Sequence, residues 1–218
     1  MAYTSSASAS AVTILTFAES GINPPSATQI IDNGNGTTSL TTSIGVTISA
    51  IAGPADAGLP ITDAIFKLNG MSITQASTFT FVGITYYFQR FSGTFSITAP
   101  ECGTNCLSGT WVDLMSGPLG GFALSLAASD PPVAGLTFLS DTIPLDELQL
   151  PRAMSLAKTA LTNPVAIDCS SLAGCTLATT SANVSGTFSA AIPEPRGIAV
   201  LGGALVALGL GRKLRRLS

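Results

Sequence analysis

The chain of 218 residues contains no histidine, so its four cysteines, twelve carboxylates and nine cations are the side chains from which most chemistry would have to be built. The cysteines stand as Cys102-Gly-Thr-Asn-Cys106 and Cys169-Ser-Ser-Leu-Ala-Gly-Cys175, two tight pairs in glycine-containing segments. A structural zinc site would show Cys-x₂₋₄-Cys on both arms or a histidine; the second arm is too wide. Disulfides are therefore expected and a metal is not, with all three connectivities open.

Catalysis finds little to work with. A Ser-His-Asp arrangement is impossible without histidine. A Ser-Lys pair is formally open at Lys67 or Lys158, but no nucleophile motif accompanies either. Asp141, Asp146 and Glu147 could supply a glycosidase pair, yet they lie in SDTIPLDELQLP beside Pro144 and near Pro151, which reads as a solvated loop. Asp32-Asn33-Gly34-Asn35-Gly36 offers one carboxylate and no closing Glu, which fits a hairpin turn better than a calcium loop. Gly117 to Gly121 lacks the Lys-Ser/Thr ending of a phosphate loop and reads as a turn. No catalytic residue and no cofactor is expected. Trp111, Tyr86 and Tyr87 remain as groups on which a sugar ring could stack, if they are not core.

The elements that carry these residues read as strands. From Val12 to Ala191, short runs of Thr, Ser, Val, Ile and Phe alternate and are punctuated by Gly, Pro, Asn and Asp. Thr38 to Ile51 puts Ile44, Val46, Ile48 and Ala50 on one face. Ser77 to Phe91 is the most aromatic stretch and is expected at the centre of the core, with a bulge or bend at Gly83. Further strands are expected at Val12–Ala18, Ile61–Leu68, Gly93–Ala99, Ser108–Met115, Gly121–Ala127, Leu136–Ile143 and Thr176–Ala190. Pro151 to Leu161 is the one segment that could be helical, packed across an open end. This pattern predicts an antiparallel β-sandwich or jelly roll over residues 12–191.

A small recurrence supports the strand reading. Ser-Gly-Thr precedes an aromatic in FSGTFSIT at Phe91, in LSGTWVDL at Leu107 and in VSGTFSAA at Val184. In a strand Thr94, Thr110 and Thr187 face one way, and Phe95, Trp111 and Phe188 the other.

Charge separates the two ends of the chain. Before Arg196 there are four cations, Lys67, Arg90, Arg152 and Lys158, against all twelve acidic residues. Such an acidic body lacks the basic footprint of a nucleic-acid binder. Residues 1–11 form a Ser/Ala-rich leader whose Ala9-Ser10-Ala11 has the small-x-small form of a signal-peptidase site. No cationic, apolar export signal precedes it. Either most of that signal lies upstream of Met1, or the leader is merely flexible.

Residues 192–218 are of another kind. Pro193-Glu194-Pro195 is extended, because each proline withholds a donor and restricts the residue before it. Gly197 to Gly211 is entirely Gly, Ala, Val, Leu and Ile, and as a helix is about 22 Å long against a hydrocarbon core of roughly 30 Å. Leu214, Leu217 and snorkelling cationic stems could extend it. Arg212, Lys213, Arg215 and Arg216 follow, and the positive-inside rule keeps such a cluster cytoplasmic. One C-terminal transmembrane helix over 197–211 is expected, with the body outside.

These three pieces in this order resemble the PEP-CTERM sorting signal of exported proteins in Gram-negative bacteria that make extracellular polysaccharide. The resemblance covers only the tail, and Arg196 departs from the small polar residue frequent there. It implies residence in the inner membrane until an exosortase-type enzyme processes the chain near Pro193-Glu194-Pro195, then delivery to the cell surface or beyond. The expected function is that of an exported, non-catalytic surface or extracellular-matrix protein, with extracellular polysaccharide as a candidate partner. A secreted carbohydrate-binding or, less so, carbohydrate-cleaving protein using Trp111 and the Tyr86/Tyr87 region is the alternative. A tail-anchored cytoplasmic protein is more remote, since it would have to translocate its basic end.

Overall fold

A computed structural model describes residues 11–21, 28–52, 58–144 and 148–191. All but Ala11 of the leader at 1–11, the acids Asp146 and Glu147, and the whole tail with Pro193-Glu194-Pro195, the 197–211 span and the basic cluster lie outside the described residues. Among the described residues twelve strands follow one another: β1 (Ala11–Glu19), β2 (Thr28–Asp32), β3 (Thr38–Ile51), β4 (Ile61–Ser72), β5 (Ser77–Phe81), β6 (Ile84–Ala99), β7 (Thr104–Pro118), β8 (Leu124–Asp130), β9 (Gln149–Thr159), β10 (Ile167–Asp168), β11 (Thr176–Leu177) and β12 (Thr180–Ala191). Among the described residues none is α-helical, and no helix is long and apolar enough to cross a membrane.

The protein is mainly β and antiparallel, as the alternation predicts, but its sheet closes on itself instead of dividing into two. β3, β4, β6, β7, β8 and β9 pair in succession, β9 pairs with β12, and β12 returns to β3 through β1 and β2. β1 and β2 occupy one place end to end: β12 binds β1 from Ser185 to Ala191 and β2 from Thr180 to Ala182. The result is an eight-stranded up-and-down barrel. Short alternating strands are common to sandwiches and barrels, so the pattern alone could not separate them.

Eight strands enclose an interior just wide enough for side chains to fill. Phe66, Phe17, Phe188, Phe95 and Phe138 form a connected aromatic row inside, with centroids 4.6 Å apart at Phe17–Phe66 and 4.8 Å at Phe95–Phe188. The Ser-Gly-Thr repeats behave as read from sequence: Phe95, Trp111 and Phe188 are buried while Thr94 and Thr110 are exposed and Thr187 is half-buried. The glycine of the third repeat faces inward and makes room. A Cβ on Gly186 would stand 2.7 Å from the Phe17 ring.

Three further expectations are corrected. Pro151 to Leu161 is not helical: Gln149–Thr159 forms β9, where Met154, Leu156 and Lys158 alternate inward. Its apolar residues fit a period of two once Ala157 and Ala160 are assigned outside. Ser77 to Phe91 is two strands of a hairpin, not one central strand, because Val82-Gly83 makes a turn. Phe91 and Tyr87 reach the core, but Phe79 and Phe81 are exposed. On β3, bulges against β4 and β1 shift the alternation, so Ile51 rather than Ala50 is buried.

The segments between β8 and β9 and between β9 and β12 cover the two ends. Leu136 and Phe138 are buried beside β7, whose Ser108 pairs with Leu139. Val165 exchanges backbone hydrogen bonds with Gly120 and Gly121 at the other end.

Candidate functional site

Both cysteine pairs close locally, Cys102–Cys106 and Cys169–Cys175. Of the three connectivities, the structure has the one with two short loops. Cys106 follows a single 3₁₀ turn at Pro100–Cys102 that reverses the chain from β6 into β7. The Cys169–Cys175 loop sits against the root of β5: Ala76 donates its N–H to Cys175 O at 2.8 Å, and Gln75 Nε2 donates to Ala173 O at 3.0 Å.

Two of the three aromatics proposed to stack on sugar present no face to solvent. Trp111 and Tyr87 are completely buried, and Tyr86 is half-buried against Phe88 at 6.5 Å. Each of the first two sits at an inward position of its strand, so the core reading of these residues holds. The Tyr87 hydroxyl donates to Gln89 Oε1 at 2.6 Å, and burial pushes its pKa upward. Thr38 Oγ1 donates to the same oxygen, Gln89 Nε2 donates to Thr74 O, and Leu177 N donates to Thr38 Oγ1. This chain of bonds ties the segment before β12 to β3 and β6. It is a satisfied network, which makes it structural cement and not an acid–base pair.

The remaining candidates are separated from one another. Asp141 is exposed and its carboxylate accepts the Asn105 N–H at 3.0 Å, which holds the loop beside β7. Asp32 Oδ1 accepts from Gly34 N and Asn35 Oδ1 from Thr37 N, so the Asp32 to Gly36 stretch is the β2–β3 hairpin turn. Gly34 and Gly36 supply its positive φ angles. Among the described residues no group of three His, Cys, Asp or Glu could hold a metal ion.

Lys67 is exposed on β4 between Ser43 and Ser96 of the neighbouring strands. Lys158 is fully buried inside the barrel, and its Nζ has no hydrogen-bond partner. Desolvation lowers its pKa to about 7. The helical reading of its segment concealed this lysine. Read as a strand, Met154, Leu156 and Lys158 recur at a spacing of two, and that spacing is the signal that would have found it.

One surface concavity was not visible in the sequence. An open groove of about 690 Å³ crosses the outside of β3, β4, β6 and β7. Register places Thr41, Asn69, Thr94 and Thr110 directly opposite one another across these four strands. Thr137 extends the row through its hydroxyl, 2.9 Å from that of Thr110. The row is uncharged, with Lys67 the one cation in the groove lining. Such a surface offers hydroxyl and amide groups to a neutral polar ligand.

No protein-family model, curated protein or solved structure matches this chain. Function therefore rests on the residues and their geometry.

Proposed function

We propose that this is an exported, non-catalytic protein of the cell surface or extracellular matrix, routed through the inner membrane by its tail and processed there by an exosortase-type enzyme. The observation that carries this reading is the pair of disulfides. Such bonds persist in oxidising compartments and are reduced in the cytoplasm, which favours a body outside the membrane. The tail supplies the route: Pro193-Glu194-Pro195, the apolar 197–211 span as a membrane helix, and Arg212, Lys213, Arg215 and Arg216 on the cytoplasmic side. A closed, filled barrel suits a structural or adhesive task.

The test follows a C-terminally tagged chain in cells of the source organism, with and without Pro193→Ala and Pro195→Ala. Loss of the tag and surface exposure of the wild type, with the variant kept full-length in the membrane, is the expected result. A wild-type chain that keeps its tag with its body in the cytoplasm overturns the reading in favour of a tail-anchored protein.

The hydroxyl groove supports a second reading, a saccharide-binding protein, in place of the buried Trp111 and Tyr87. Electrophoresis through gels containing extracellular polysaccharide should show retardation that Asn69→Ala with Thr94→Val reduces. Equal mobility of both proteins, with and without polysaccharide, removes this reading.

A further inference from the structure

Closure leaves the barrel strands paired on both sides, but β5 lies off the barrel path and among the described residues pairs with β6 alone. Every residue from Ser77 to Phe81 is exposed. The turn that joins β5 to β6 has two residues, Val82 and Gly83, both with positive φ. In such a hairpin the pair nearest the turn exchanges hydrogen bonds, and such pairs then alternate along the ladder. Phe81–Ile84, Phe79–Tyr86 and Ser77–Phe88 are thus the bonded pairs. Thr78 and Thr80 turn their N–H and C=O groups away from β6. The outer edge is occupied at its root, where Ala76 bonds Cys175, and among the described residues no strand pairs with it beyond that.

This edge lacks the features that protect edges. Charged side chains, proline and bulges ordinarily blunt them. Between Ala76 and Gln89 there is no charge and no proline, and the β5–β6 register runs without a shift. One face of the hairpin is apolar: Phe79 and Phe81 are 57% and 63% exposed, with rings 6.5 Å apart and 18° from parallel, beside Ile84.

We propose that β5 is a self-association site, at which a second copy of this chain adds its own β5 antiparallel about a two-fold axis through Phe79. The pattern Ser-Thr-Phe-Thr-Phe is what selects a second copy. An antiparallel mate centred on Phe79 sets Thr78 opposite Thr80 and Thr80 opposite Thr78, so the outward backbone groups of each chain meet those of the other. Phe79 then faces its own counterpart, and the Phe81 and Phe79 rings of both copies join in one aromatic row. A symmetric pair sets many charges near their own copies, where like charges repel; a charge-free strand avoids this. The contact is small, so dimerisation is concentration-dependent.

The test uses the full chain in mild detergent, with Phe79→Cys subjected to gentle oxidation and non-reducing electrophoresis. The native cysteines are already paired. Facing Cα atoms at a non-hydrogen-bonded antiparallel pair lie about 4.5 Å apart, within disulfide reach. A covalent dimer is expected from Phe79→Cys and not from Val82→Cys, which is more accessible at the turn but off the axis. Adding Thr78→Lys and Thr80→Lys to Phe79→Cys sets like charges opposite one another and should abolish the dimer. Thr78→Pro, which removes an outward donor, should do the same. Trp111 fluorescence in each variant checks that the barrel remains folded. No dimer from Phe79→Cys, equal dimer from Val82→Cys, insensitivity to the lysines in a folded variant, or cross-linking only to another protein each overturns the proposal.

Discussion

The Trp111 indole fills the space that a side chain on Gly70 would occupy: a Cβ there would stand 2.6 Å from Cζ2 and 3.0 Å from Cη2. Gly70 pairs with Gly93 and Gly93 with Trp111, so the ring on β7 reaches inward across β6 to β4. Gly70→Ala forces that ring to move in a filled interior, at a cost of about 1–3 kcal/mol. Urea unfolding followed by Trp111 fluorescence should show the loss. Gly58→Ala, whose Cβ would meet nothing within 4 Å, should stay within about 0.5 kcal/mol of wild type. Equal stability of the two variants would mean that Trp111 does not lie over Gly70.

Lys158 makes the barrel's stability depend on pH. Its folded pKa, lowered to about 7 by burial, lies below the ordinary value of 10.5. Between these values the unfolded chain binds more protons at Lys158 than the folded one, so stability rises with pH through this window. The slope is at most about 1.4 kcal/mol per pH unit for one proton. Above 10.5 the lysine carries no penalty; below 7 the penalty is complete. Lys158→Met should remove this slope and stabilise the protein at pH 7 by a few kcal/mol, on the order of 4. Denaturant midpoints from pH 6.5 to 10 decide it, and a variant with an unchanged slope locates the titration elsewhere.

Lys158 also shows where local pattern stops informing. The expected strand Thr38–Ile51 coincides with β3, and the inward aromatics of the Ser-Gly-Thr repeats follow directly from a period of two. These features depend on neighbours in sequence. Barrel closure depends on β12 meeting β1, β2 and β9, partners up to about the whole body apart, and no local alternation encodes that choice. The groove is hidden for the same reason: Thr41, Asn69, Thr94 and Thr110 become a row only through register. The aromatic density of residues 77–91 does not translate into burial, because the turn after Phe81 leaves β5 off the barrel with Phe79 and Phe81 exposed.

That turn is poorly served by its first residue. Val82 has φ 48°, a left-handed conformation that a β-branched side chain resists, and Gly83 follows at 77°. Val82→Asn creates the Asn-Gly pair that two-residue hairpins favour. A gain of about 1 kcal/mol is expected, read as a several-fold rise in amide-exchange protection at Phe81 and Ile84. The unfolding midpoint of the barrel should hardly move, because β5 lies off the closed path. A midpoint shift without added protection in the hairpin would place the effect outside the turn.

The two disulfides should differ in consequence more than in cost. Both close short loops, with sequence separations of 4 and 6, for which chain entropy gives about 2 kcal/mol each. Cys102→Ser with Cys106→Ser should therefore lower stability about as much as Cys169→Ser with Cys175→Ser. Only the second loop holds Ala76 and Gln75 at the root of β5. Loss of that pair should speed amide exchange at Ala76 and along the β5–β6 hairpin, while loss of the first leaves the hairpin protected. Exchange measured under native conditions separates a local tether from a general clamp: equal loosening of β5 in both variants would make the disulfides interchangeable, and selective loosening makes Cys169–Cys175 the link that aims the free strand.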